Sequence, residues 1–224
     1  MGIFDSLFSK KTDFKAGGVR LEGIPLSASL LKSPTNFVAP AKLDFRDMCI
    51  QTSNQLQTPH CAGYSTAGFI EVQNWRTLHY PEQINGDAIY DAAKKLDGYP
   101  GDGTSLNCAA KGAINLGLIN GSIEFIGRDS QKVRFAIHEN CVCIGAFGIT
   151  NEWNNVGRDG KIPNYGNAAK DIGGHAVLIC GYDGEGIYIQ NSWGVSWGLY
   201  GFCFLSWEQF EWQFDSGAII RRSA

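Results

Sequence analysis

The sequence predicts an α+β fold in two lobes. Apolar and small residues recur at helical spacing through the first half of the chain. From about residue 121 the apolar runs shorten and become β-rich, separated by Gly, Asp and Asn turns. Helices followed by strands is the pattern of an α+β domain rather than of alternating βαβ units. Composition agrees, since 28 glycines and 12% aromatic residues indicate many turns and a sheet-rich part. With 44% hydrophobic and 18% charged residues the chain is not a disordered one. At 224 residues it buries roughly 70% of its unfolded surface and needs neither disulfide nor metal to fold.

Residues 1–43 differ from the rest of the chain. Gly2 to Phe8 fits a short amphipathic turn, and Met1-Gly2 with Ser6 loosely fits an N-myristoylation pattern. Gly, Pro and Ser then punctuate the chain as far as Pro40. The domain proper is read as 44–224, with a helical lobe over about 44–120 and a β-rich lobe over about 121–224. Cys61 to Leu78 reads as a buried helix. Ala88 to Leu96 and Ser105 to Leu116 read as two more, the last opened by Gly103-Thr104-Ser105 and closed near Gly117. The runs CVCIGAFGIT, HAVLICGY, GIYIQNSW and LYGFCFLS read as strands, with Cys141 and Cys143 on one face of the first.

Charge and cysteine usage exclude several classes. A net charge of −3, from 22 acids and 19 bases, gives no electrostatic footprint for nucleic acid. No apolar run reaches the ~20 residues of a membrane span, so no stable membrane insertion is expected. The cysteine count is odd and no CxxC occurs; without a secretory signal, a reducing, cytoplasmic location is expected. Only Cys141-Val-Cys143 has anything like ligand spacing, so neither a metal nor another cofactor is expected.

A thiol nucleophile needs its thiolate populated near neutral pH, which a helix N-terminus and an imidazolium both favour. Cys61 stands where a helix begins, and His175 opens an apolar strand. Asn191 ends the next strand, where it can lie beside the histidine and orient it. Taken alone, Cys61 reads as a buried structural thiol. His60 adjoins it but points elsewhere from a helix start, and His79 and His138 read as surface residues.

The residues around these positions resemble a known family. LDFRDMCIQTSNQLQTPHCAGYS resembles the segment preceding and containing the nucleophile of papain-like cysteine peptidases, with an Asp-aromatic-Arg and with Gln55 six positions before Cys61. GGHAVLICGYDGEGIYIQNSWGVSWGLYGF resembles that family's His and Asn segment, including Asn-Ser-Trp-Gly followed by a second Trp-Gly. The resemblance runs from about Leu43 to about Phe204 in the order Cys, His, Asn.

It implies a papain-like two-lobed fold, a helical left lobe and a β-barrel-like right lobe with the cleft between them. It further implies a peptidase acting on a peptide or protein substrate. Cys61 would be the nucleophile, His175 its acid–base partner, Asn191 the orienter, and Gln55 a donor to the oxyanion. Trp193 would cover the His175–Asn191 bond, and Gly101, Gly103 and Gly174 would line the substrate channel.

The sequence departs from that family at several points. Ala62 replaces the Trp that usually follows the nucleophile, and Thr58 stands at a usual disulfide cysteine. Pro59 and His60 replace small residues. The interval from Cys61 to His175 is shorter than the ~130 residues or more usual in papain and cathepsins, and residues 1–43 leave no room for a long prosegment. They are read either as a loose tail or as a segment lying across the cleft and regulating access. Two rival readings are a catalytically inactive papain-like binding module and an acyl transferase using the same thioester chemistry.

Overall fold

The computed structural model describes residues 16–49, 52–80 and 82–223, with only the backbone of Asn167. The amphipathic turn and the lipidation pattern of the first residues lie outside them. Two short strands, β1 (Ser29–Leu30) and β2 (Leu43–Asp44), precede the helical lobe. That lobe comprises α1 (Cys61–Leu78), α2 (Gly86–Asp97) and α3 (Leu106–Asn115). Then come β3 (Gly121–Ile126), α4 (Ser130–Asn140), β4 (Cys143–Thr150), β5 (Asp171–Tyr182), β6 (Gly186–Gln190), β7 (Phe202–Ser206), α5 (Trp207–Gln213) and β8 (Phe214–Arg222).

The strands form one sheet in the order β1-β3-β8-β4-β5-β6-β7, with β2 against β5 and every neighbour antiparallel except β1 and β3. The sheet does not close. Register shifts interrupt β4 against β5 and β8, and β5 against β6, and such irregularities increase local twist.

α1 is buried from Cys61 to Asn74 except at the half-buried Tyr64, and its small residues let neighbouring elements approach closely. At Gly63 a Cβ would come within 2.2 Å of Gly86 O, so glycine there lets α2 cross α1 at backbone contact. Side-chain caps open the other helices: Asn85 accepts from Ala88 N, Ser105 from Cys108 N and Asp129 from Gln131 N. His60 supplies no such cap, so the first N–H groups of α1 are left for the site beside them.

Two elements differ from the sequence reading. Cys141 is not a strand residue: it terminates α4 at φ 66°, and Cys143 alone belongs to β4. Helices α4 and α5 lie inside the half read as β-rich, at positions given no helix. No described helix is long and apolar enough to cross a membrane.

Candidate functional site

The site forms where the N-terminus of α1 meets β5 and the end of β6. Cys61 is the first residue of α1, and its sulfur lies 3.4 Å from the backbone N of Ala176, which donates to it. His175 precedes that residue on β5, paired in register with Phe147 of β4. Its Nε2 is 2.7 Å from Asn191 Oδ1, an oxygen that also accepts from Ser192 N at 2.8 Å. His175 Nδ1 is buried with no hydrogen-bond partner among the described residues.

Aromatic rings enclose the imidazole. Trp193 lies over it, ring centres 4.7 Å apart, and Trp153 meets it edge-on at 6.1 Å. Trp153 is itself anchored, its Nε1 donating to Gln213 and its carbonyl accepting from Trp197 Nε1. Trp153 escapes a sequence reading because it comes from a short 3-10 turn outside any motif.

Gln55 is held on three sides. Its side-chain amide donates to Thr58 O at 2.8 Å, Ser192 Oγ donates to its Oε1 at 2.6 Å, and its own backbone N donates to Ser192 O. Asn191 and Gln55 are therefore both tied to Ser192, a residue singled out only as part of the Asn-Ser-Trp-Gly run. His60 is engaged with α2, its Nδ1 2.6 Å from Asp87 Oδ1 and its ring stacked on Tyr90.

Residues 16–21 form a strap across this site. Gly17 N donates to Gly174 O at 2.8 Å, Thr104 N to Gly18 O at 3.1 Å, and Arg20 N to Thr104 O at 3.0 Å, so Val19 runs parallel to Thr104. A Cβ at Gly18 would stand 2.7 Å from Cys61 Sγ and 2.5 Å from Pro59 O. Only a glycine passes that point without displacing backbone. Gly103 and Gly174 lie against the strap, where a Cβ would meet Gly17 O and Val19 O respectively. Gly101 instead lies against the Tyr99 ring, and Trp193 against the imidazole. Lys94 gathers the intervening loop, donating to Asp97 and to the carbonyls of Tyr99, Gly101 and Gly103.

Cys61 and His175 are both fully buried. Burial pushes the Cys61 thiol up to about 12, against the N–H groups of Ala176, Ala62, Cys61 and Gly18, which favour the thiolate. Burial likewise lowers His175 to about 4, against its bond to Asn191. Burial thus favours the uncharged form of both groups. Among the described residues no group of three His, Cys, Asp or Glu side chains is placed to hold a metal.

No protein-family model matches the chain, and no curated protein matches it in sequence. Solved structures do. Xylellain, a cysteine protease from Xylella fastidiosa, superposes with a TM-score of 0.81 at 17% identity, over 94% of this chain and 97% of that one. The fold is papain-like. Procathepsin B S9 from Trypanosoma congolense matches at 0.72 and 11% identity, covering 94% and 87% of the two chains. The digestive procathepsin L 3 of the Tenebrio molitor larval midgut matches at 0.67 and 16% identity, covering 94% and 76%. In this papain-like frame, α1 to α3 supply the helical part, and the sheet expected to be β-barrel-like is open.

Proposed function

We propose that the chain is a cysteine peptidase whose cleft is closed by its own strap. The observation that carries this reading is the placement of three groups. Cys61 heads a buried helix, its sulfur touches the residue after His175, and His175 is tethered through Nε2 to Asn191. With Nε2 so engaged, Nδ1 is the nitrogen left to take the thiol proton. The Cys61 sulfur would then add to a peptide carbonyl carbon, with Gln55 and the Cys61 N–H stabilising the oxyanion. Collapse of that adduct breaks the C–N bond as His175 returns its proton to the departing amine. Water, deprotonated by His175, releases the acid from the thioester and restores the thiol.

The strap fits the role of a block rather than of a substrate. Gly18 turns its N–H toward the sulfur, whereas attack would require a carbonyl carbon there. By excluding water it also holds Cys61 and His175 uncharged. Access of solvent would relax both shifts and allow a thiolate–imidazolium pair.

The test is hydrolysis of an unfolded protein substrate by the full chain, by Gly18→Val and by Gly18→Val/Cys61→Ala. A Val side chain at position 18 cannot clear Pro59 O and the sulfur, so that variant should hydrolyse faster than the parent. The double variant should not hydrolyse at all. Turnover that survives the loss of Cys61 would overturn the mechanism. Product masses that acquire an added amine in preference to water would favour the acyl-transferase reading.

A further inference from the structure

Between α1, the middle of β5 and the end of β6 lies a polar cavity of about 20 Å³, lined in part by Ser53, Ser65, Glu71, Gln190, Asn191 and Ser192. A water needs about 10–15 Å³ of such space and two to four polar partners. Two of the lining side chains have unmet donors: Asn191 Nδ2 and Gln190 Nε2 are buried with no acceptor among the described residues. The cavity also holds one carboxylate. Glu71 is buried, and Ile84 N donates to its Oε1 at 2.9 Å. A carboxylate accepts several hydrogen bonds.

We propose that Glu71 is a positioning residue: through a water in this cavity its carboxylate takes the hydrogen bonds of Asn191 Nδ2 and Gln190 Nε2, fixing which end of the Asn191 amide meets His175. The proposal rests on the reading of Asn191 as the group that orients His175. The two ends of an Asn amide are nearly alike in shape and opposite in hydrogen-bonding sense. With Oδ1 forward, His175 carries its proton on Nε2 and offers Nδ1 as a base. With the amide reversed, Nδ2 would meet Nε2 as a donor, move the imidazole proton to Nδ1, and leave no base beside Cys61. An anionic acceptor behind the amide selects the first arrangement, and Ser192 N, donating to Oδ1, supports it in front.

Glu71 is poised to titrate, since burial lifts it to about 6 against the Ile84 N–H. The other titratable group lining the cavity is Tyr64 from α1, raised to about 12; His175, lowered to about 4, is linked to the cavity only through Asn191. Asp87 and His60 lie beyond Tyr64, and the end of β6 contributes only the amides Gln190 and Asn191. A Glu71→Gln variant separates Glu71 from all of these.

The experiment is nitrogen-15 NMR of the full chain between pH 5 and 7.5, reading the His175 tautomer and the Asn191 side-chain amide. In the parent, His175 should be the Nε2–H tautomer, and the Asn191 amide should shift with a midpoint near pH 6. Glu71→Gln should keep the tautomer and lose that step. Glu71→Leu, which has no acceptor, should convert His175 wholly or partly to the Nδ1–H form. Retention of the Nε2–H form in Glu71→Leu overturns the proposal, as does a pH 6 step that persists in Glu71→Gln. The second criterion stands even if Glu71→Leu does not fold. Neither readout requires hydrolysis, so an inactive chain showing the predicted changes would remove the peptidase reading and leave the role of Glu71 intact.

Discussion

The wall of the cleft and the strap that covers it are held by different kinds of interaction. On the wall, His175 is bonded to Asn191, Asn191 to Ser192, and Ser192 to Gln55, while Trp193, Trp153 and Trp197 pack behind the imidazole. Every member is buried and most contacts are made by side chains. The strap crosses by backbone hydrogen bonds from Gly17, Gly18 and Arg20, with glycine at the point nearest the sulfur. The hydrogen bonds of the wall run among its own residues, whereas in the proposed reading the strap sets the charge state of the groups beneath it. Construction of the reactive groups and control of them are therefore separable, and substitutions should divide accordingly.

The largest effect belongs to the wall. Cys61→Ala should abolish hydrolysis of a protein substrate in any background, assayed by peptide release. Next comes Gln55→Ala in the Gly18→Val background, where loss of an oxyanion donor should cost ~10²–10³ in kcat. An unchanged kcat would confine Gln55 to its bonds with Thr58 and Ser192. On the strap side, Gly18→Val should raise the rate of Cys61 alkylation at neutral pH by about tenfold or more, equivalent to ~1.4 kcal/mol of lost closure. A rate equal to the parent's would mean that the strap tolerates a side chain there.

Lys94→Ala lies between the two regions, because it frees the loop that presents Thr104 to the strap. Loss of a charged donor to three carbonyls and Asp97 should lower stability by about 1–3 kcal/mol, read by thermal unfolding. The smallest effect is one of pH. When the strap lifts, the proton leaving Cys61 is the one taken by His175, so opening in the parent should be proton-neutral between about pH 5 and 7. In Cys61→Ala no thiol supplies it. His175 titrates at about 4 when covered, against an ordinary 6.5, so the open form binds the extra proton in that window. Acid should then favour opening by up to ~1.4 kcal/mol per pH unit. Backbone amide shifts of Gly17, Arg20 and Thr104 should move with pH in Cys61→Ala and stay flat in the parent.

The same division explains how much the sequence discloses. Helix α1 is legible to about its last residue, because apolar and small residues recur along it at helical spacing. The Asn-Ser-Trp-Gly run and the strand before it place Asn191 one strand from His175, because strand order there follows chain order. Helix α4 is not legible. It goes unassigned within the β-rich half although Val133, Ala136, Ile137 and Asn140 are buried at helical spacing and Asp129 caps it, because it is short and flanked by strand-like runs. Cys141 reads as a strand residue because it stands only two positions before Cys143, the first residue of β4, in one apolar run. Helix α5 is seven residues long, too short to show a period. The course of the strap leaves almost no side-chain pattern, because its bonds are made by backbone; its sequence offers glycines, and glycine alone does not say what it approaches. Trp153 and the Glu71 cavity depend on contacts far apart in the chain, which no local pattern records.

Whether a complete nucleophile lies covered and neutral beneath residues 16–21 can be read from the pH dependence of Cys61 alkylation. Iodoacetamide followed by peptide mass mapping would be applied to the full chain, Gly18→Val and Gly18→Val/His175→Ala. The full chain should react slowly, with a rate that rises only at alkaline pH. Gly18→Val should react fast, keep that rate below about pH 6, and lose it when His175 is removed. A full chain that already reacts fast at acid pH, or a Gly18→Val variant as slow as the parent, would refute a covered, neutral nucleophile.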